Sequence, residues 1–284
     1  MTEVSFYPGC SLDGTAKDYR DSIERVADLL DLQLQELEDW NCCGATAAHS
    51  LDERLAVNLA GRTLALAETA GKDLLVPCAL CFNRLKTAAK KLQEDQEQRY
   101  ETRFDGKIQV FDLLDYLSRP FMLKRVRDRR RVALSGLRPV CYYGCMVNRP
   151  PKITDSEQWE NPTNMDRLLT ELGAEVLDWP FKTDCCGASH AIARPDLVFT
   201  LVDKLYRRAL AEGANCIVVS CQMCQANLDL YQDQINRQFQ RDVYLPIFYF
   251  TELIELALGA VAPGRKLDRH LVDPTALLSA VGLA

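Results

Sequence analysis

The chain repeats itself. Cys10, Cys42-Cys43-Gly44 and Cys78-x-x-Cys81 recur as Cys145, Cys185-Cys186-Gly187 and Cys221-x-x-Cys224, and in both sets 34 residues separate the double cysteine from the CxxC pair. Ten of the twelve cysteines fall in this pattern, too many at matched spacing to be placed by packing alone. Aligned on the double cysteines, the copies are offset by 143 residues, and the likeness spreads beyond the thiols. Phe6-Tyr7-Pro8-Gly9-Cys10 answers Cys141-Tyr142-Tyr143-Gly144-Cys145, and Asp73-Leu74-Leu75-Val76-Pro77-Cys78 answers Cys216-Ile217-Val218-Val219-Ser220-Cys221. Further on, the run Val110 to Leu117 resembles Phe248 to Leu256. The one large difference is 31 residues between Cys10 and the first double cysteine against 39 after Cys145, an insertion best placed in the Pro-rich stretch from Arg149 to Pro162. Any fold must therefore hold two copies of one supersecondary plan.

Each copy alternates strand and helix. Val4–Tyr7 and Val140–Tyr143 are short β-prone runs ending at Gly-Cys. Helical spacing of Ile23, Val26, Ala27, Leu29 and Leu30 predicts a helix over Asp18–Leu30, answered by Met165–Leu172. Strands near Gln33–Leu37 and Glu175–Trp179 then lead to the double cysteines, and amphipathic helices follow over Leu51–Ala70 and Pro195–Ala211. Leu74–Val76 and Ile217–Val219 are continuous apolar runs, as in strands covered on both faces. The expected fold class is α/β, internally duplicated into two similar parallel-sheet, Rossmann-like halves related by pseudo-twofold symmetry. The expected boundaries are 1–123 for the first copy, 124–135 for a basic linker around Arg125–Arg131, 136–263 for the second copy and 264–284 for a C-terminal extension with a short helix at Leu277 and Leu278. In this plan every patterned cysteine follows a strand and precedes a helix, so distant thiols meet in the crevice at the carboxyl ends of the strands. Helix N-termini there would favour thiolate.

Composition excludes several classes. A net charge of −6 argues against a nucleic-acid partner. No basic leader or run of about 18 apolar residues is seen, so a cytoplasmic protein without direct membrane insertion is expected. Its thiols would stay reduced, and clustered cysteines there point to metal rather than disulfide. No GxGxxG follows a strand, so neither flavin nor nicotinamide binding is expected, and electrons must come from another polypeptide of the same complex.

Zinc takes four ligands, commonly from two CxxC-type knuckles. Five thiols overfill such a site, and adjacent cysteines chelate one small ion poorly. A cubane [4Fe–4S] cluster also takes four thiolates, and the ferredoxin run C-x-x-C-x-x-C-x-x-x-C-P is missing. An adjacent pair suits a more open multi-iron cluster in which one sulfur bridges two irons. The residues thus point to iron–sulfur ligation and leave the cluster's shape open.

The Tyr-x-Gly-Cys starts, both Cys-Cys-Gly triplets, both CxxC pairs and Asp178-Trp179-Pro180 resemble the cysteine-rich CCG domains of the heterodisulfide reductase B subunit and its bacterial relatives. The resemblance covers nearly the whole chain. It implies a 1–123 first CCG domain and a 136–263 second one, each holding a noncubane [4Fe–4S] cluster. Cys10, Cys42, Cys43, Cys78 and Cys81 would ligate one, and Cys145, Cys185, Cys186, Cys221 and Cys224 the other. In that family the two clusters face one another and a disulfide between them is cleaved reductively, each sulfur captured by an iron; thiol oxidation would use the same site. The resemblance also implies two partners, a ferredoxin-like C subunit and a flavin-bearing A subunit, with a small-molecule or carrier-bound disulfide or thiol as substrate.

Two alternatives stand beside this disulfide reductase. One is an electron-transfer iron–sulfur subunit of another CCG-domain oxidoreductase, of the succinate dehydrogenase, thiol:fumarate reductase or glycolate oxidase type. The other is a zinc-stabilised scaffold or redox-sensing module. Among remaining candidates, His190, four residues after Cys186, is placed to donate a proton to a leaving thiolate, or else is a polar group lining the pocket or a satisfied core histidine. Cys141 and Cys216 read as buried free cysteines on strands. Gly44 and Gly187 are expected to let the backbone approach a cluster. His49 and His270 have no stronger claim than His190.

Overall fold

A computed structural model describes residues 2–45, 47–259 and 269–283. The chain divides into two compact units, Met1–Leu117 with Met146–Trp159, and Ser118–Cys145 with Glu160–Ala284.

The first unit runs β1 (Thr2–Phe6), α1 (Gly9–Asp13), α2 (Lys17–Leu29), β2 (Leu32–Glu36), α3 (Ala47–Leu51), α4 (Glu53–Ala70), β3 (Leu74–Val76), α5 (Ala79–Gln93), β4 (Val110–Asp112) and α6 (Leu113–Leu117). Its four strands are parallel in the order β2-β1-β3-β4. All three residues of β3 are buried, as a central parallel strand requires. Val4 and Phe6 of β1 bury with Ile23 and Val26 of α2, Leu64 of α4 and Leu85 of α5 to form the core. The helix expected over Leu51–Ala70 starts two residues later, as α4, and Leu51 ends α3. Asp52 is extended, and its carboxylate accepts the Leu55 N–H at 2.6 Å, so it ends α3 and caps α4.

Asp112, at the end of β4, caps α6 in a less favourable setting. One carboxylate oxygen accepts the N–H groups of Leu114 and Asp115, while the other is buried with no partner among the described residues. Burial pushes its pKa up to about 7. The carboxyl therefore holds its proton in the folded chain over a range where the unfolded chain has lost it, near pH 4. Its contribution to stability is fully present below about pH 4 and is lost as pH rises through about 7. A rise of about three units corresponds to about 4 kcal/mol at most. Asp112→Asn keeps an oxygen for both caps and removes the charge. It should raise the denaturant midpoint of the first unit at pH 8, with no gain at pH 4, in urea titrations at the two values.

The second unit contains α7 (Pro120–Arg129) and β5 (Pro139–Tyr142), and the chain then visits the first unit through α8 (Pro151–Thr154). It continues with α9 (Asn164–Glu171), α10 (Pro195–Ala211), β6 (Cys216–Val219), α11 (Gln222–Leu230), α12 (Gln232–Phe239), β7 (Ile247–Tyr249), α13 (Phe250–Ala257) and α14 (Thr275–Ala280). Its sheet has three parallel strands, β5-β6-β7. The strand expected over Glu175–Trp179 is reduced to one bridge, Val140 to Leu177. Two residues explain the truncation. Pro139 accepts the Leu177 N–H but has no N–H to return, and the Trp179 indole takes the Cys141 carbonyl at 2.8 Å, where a further rung would form.

The basic run expected to link the copies instead forms most of α7, in the second unit, where Lys124 pairs with Asp128 and Arg130 donates to the Glu171 carbonyl. The Pro-rich insertion packs in the first unit. Asn83 donates to the carbonyls of Met146 and Arg149, both at 2.9 Å, and Lys86 and Lys90 pair with Asp155. Residues 260–268, which span the expected end of the second copy and the start of the extension, lie outside the described residues. Beyond them Leu278 of α14 is buried, and His270 bonds Glu252 at 2.9 Å.

Candidate metal centres

In the first unit three adjacent strands deliver the five thiols to one edge of the sheet. Cys10 lies just past β1, Cys42 and Cys43 follow β2, and Cys78 follows β3 as the N-cap of α5, whose first turn carries Cys81. The second unit repeats this, with Cys145 after β5, Cys185 and Cys186 after the Leu177 bridge, and Cys221 as the N-cap of α11, which carries Cys224. All ten are free thiols. Within each set they form a rim pair and a buried triple. Cys10 and Cys42 are exposed, with sulfurs 3.7 Å apart; Cys43 and Cys81 are buried at 3.3 Å, and Cys78 is buried beside them, its Sγ 3.5 Å from the Cys81 amide. In the second set Cys185 is exposed and Cys145 half-buried, while Cys186, Cys221 and Cys224 are buried, with Cys186 and Cys224 3.7 Å apart. Among the described residues no three such side chains are grouped to hold a single metal ion.

Protons are shared unequally within the sets. A hydrogen bond from Cys81 lowers the Cys43 pKa against the cost of burial, with help from the Ala45 N–H, while Cys81 itself is pushed up. Cys186 is lowered likewise by Cys224, and Cys224 is raised. At the rim a hydrogen bond from Cys145 brings Cys185 down to about 6, aided by the Gly187 N–H at 3.3 Å and by His190. Burial, with Cys42 beside it, pushes Cys10 up to about 11. The amides after each double cysteine thus favour thiolate at those sulfurs, as backbone nests do for anions.

Two further positions shape each set. Gly9 and Gly144, with φ of +73° and +68°, bring the strand end so close that a Cβ would sit 2.9 Å from the sulfur of Cys81 and Cys224 respectively. Tyr7 and Tyr142 stand two residues earlier on the chain's way into the turn. Their hydroxyls donate to the carbonyls of Asn41, at 2.8 Å, and Asp184, at 2.6 Å, each the residue before a double cysteine. Both phenols are held protonated by burial and by the surrounding sulfurs. The repeated Tyr-x-Gly-Cys carried this signal, although the spacing alone did not disclose the tyrosine's partner. Gly44 and Gly187 do something other than expected. A Cβ there would meet Ala48 of α3 and Leu59 of α4, or Leu201 and Val198 of α10, so these glycines let the loop approach the helices that follow rather than the thiols.

His190 ends a short 3-10 turn over Ala188–His190 and is exposed, close enough for its charge to favour the Cys185 thiolate. Cys141 and Cys216 are buried on β5 and β6, outside both sets.

The chain is 29% identical to the 8-methylmenaquinol:fumarate reductase membrane anchor subunit of Wolinella succinogenes, over 97% of this chain and 99% of that one. It is 25% identical to the B subunit of ferredoxin:CoB-CoM heterodisulfide reductase from Methanosarcina mazei, over 99% and 97%. A hypothetical protein from Helicobacter pylori has the same fold at a TM-score of 0.74 and 10% identity; the match covers 96% of this chain and about half, 52%, of that one. Among the described residues no helix is long and apolar enough to cross a membrane. Residues 4–86 and 140–229 match the cysteine-rich CCG domain, one copy in each half, and the chain belongs to that family.

Proposed function

We propose that this chain is the iron–sulfur subunit of a multi-subunit reductase, where it works on a disulfide, reducing it or forming it from thiols. Each five-cysteine set would hold one noncubane [4Fe–4S] cluster, with Cys10, Cys42, Cys43, Cys78 and Cys81 in the first unit and Cys145, Cys185, Cys186, Cys221 and Cys224 in the second. The residues fit such a group: five soft thiols, amides aimed at the double-cysteine sulfurs, and a glycine where a side chain would strike one of them. When bound, two such clusters supply the two electrons that a disulfide takes up. The observation that carries the reading is the rim pair. A pure electron relay can be wholly buried, whereas Cys10, Cys42 and Cys185 reach solvent, where a sulfur compound could approach. The tyrosines pin the loops, and His190 is the proposed proton donor to a departing thiolate. Electrons would come from a ferredoxin-like C subunit and a flavin-bearing A subunit.

The 29% identity to the fumarate reductase protein favours a second reading, in which the chain only transfers electrons within a quinol-linked complex. One experiment addresses both. Anaerobically purified chain should carry about eight iron and about eight acid-labile sulfide, four for each cluster. Cys186→Ser should drop both to about four and abolish viologen-driven reduction of disulfides, and Cys216→Ala should leave both unchanged. Turnover of a menaquinol analogue with no disulfide turned over would sink the disulfide reading and leave the second. Stoichiometric zinc without sulfide would sink both.

A further inference from the structure

The duplication is nearly faithful at the thiols but not in the charge around them. The sixth residue of α5 is Arg84, and the sixth of α11 is Asn227, each one turn past the second cysteine of its CxxC pair. Asn227 lies against the second sulfur of its double cysteine. Asn227 Nδ2 donates to the Cys186 carbonyl at 3.1 Å and lies 3.7 Å from its Sγ. Arg84 is within electrostatic reach of Cys43, and its Nε is buried with no hydrogen-bond partner among the described residues. Of the other cations near the sets, His190 acts on Cys185 from the exposed rim, and two more are paired. Arg62 pairs with Asp39 beside Asn41, and Lys204 with Asp184 at 2.8 Å. Among the described residues Arg84 has no such carboxylate partner, and it stands where the other unit has a neutral amide.

We infer that Arg84 makes the two centres unequal, so that the first electron delivered to the chain settles on the centre of the first unit. If, as proposed above, each thiol set holds an iron–sulfur cluster, adding an electron adds one negative charge, with no bond made or broken. A half-buried guanidinium favours that charge at one centre more than His190, exposed and screened by solvent, does at the other. A single charge in this environment biases the electron on the order of tenfold, which is 59 mV for a one-electron couple. Arg84 is thus a positioning residue for the electron, not a ligand.

The test is an EPR-monitored potentiometric titration of the full chain, with a reduced viologen as the one-electron donor. In Cys186→Ser, which should keep only the first unit's centre, the retained signal should be the one of higher potential in the unaltered chain. Arg84→Gln should move that signal about tenfold toward the oxidised form at fixed potential and leave the other in place, and Arg84→Lys should restore most of the shift. If the signal kept by Cys186→Ser is the one of lower potential, or if Arg84→Gln keeps its iron with both potentials unchanged, the inference falls. A chain with neither iron nor sulfide would instead overturn the iron–sulfur assignment itself.

Discussion

Gly144→Ala should empty the second unit's centre while leaving the first intact. The added methyl would lie 2.9 Å from the Cys224 sulfur, a separation that real Cβ atoms do not adopt, and the backbone cannot relieve it because φ is +68°. Left-handed backbone costs an alanine about 1 kcal/mol, but the clash is the larger effect, since Cys224 is buried. Iron and acid-labile sulfide should fall from about eight to about four per chain. Far-UV circular dichroism should stay close to that of the unaltered protein. Gly282→Ala is the control, because φ is +73° there too but nothing lies within 4 Å. Full metal content in Gly144→Ala would show that Cys224 is not a ligand.

Lys182→Met should destabilise the second unit by about 2 kcal/mol, the usual worth of a charged hydrogen bond, here to the half-buried Asp166. The Lys182 side chain is only 3% exposed, and its ammonium lies 2.8 Å from Asp166 and 3.1 Å from Asp178. Burial works against that charge, yet the two carboxylates hold its pKa above the ordinary lysine value. Asp166 is also bonded by the Tyr143 hydroxyl, which accepts the Met165 N–H at 2.8 Å, and the Tyr143 N–H donates to the Lys182 carbonyl. The brace therefore ties the start of α9, the end of β5 and the loop before Cys185 together. Removing the cation should lower the denaturant midpoint of the second unit and leave the first where it was. Lys182→Arg should recover part of the loss. The first unit has Pro8 at the position of Tyr143, with neither a hydroxyl nor an N–H to build the same brace.

Much of this architecture was legible because a duplicated pattern is read twice. Leu74–Val76 and Pro195–Ala211 form their elements at the expected bounds, since an apolar run and an N1 proline mark their limits locally. The break at Asp52 was hidden, because an aspartate in an otherwise helical stretch looks like a solvent-facing residue until its carboxylate is seen to cap the next helix. The missing strand at Glu175–Trp179 depended on Pro139 and the Trp179 indole, a partner strand and a side chain that no periodicity connects. At the sites, the cysteines were legible by spacing. The roles of Gly9, Gly144 and Arg84 were not, since they rest on which atom lies opposite across the fold.

The Met146–Trp159 segment crosses the boundary between the copies. It belongs by sequence to the second copy but is held by Asn83, Lys86 and Lys90 on α5 of the first unit. A cut at the sequence boundary between the copies would strip the first half of a piece of itself. The copies have become grammatically dependent clauses: each repeats the other's form, yet the first is no longer complete without words that come later.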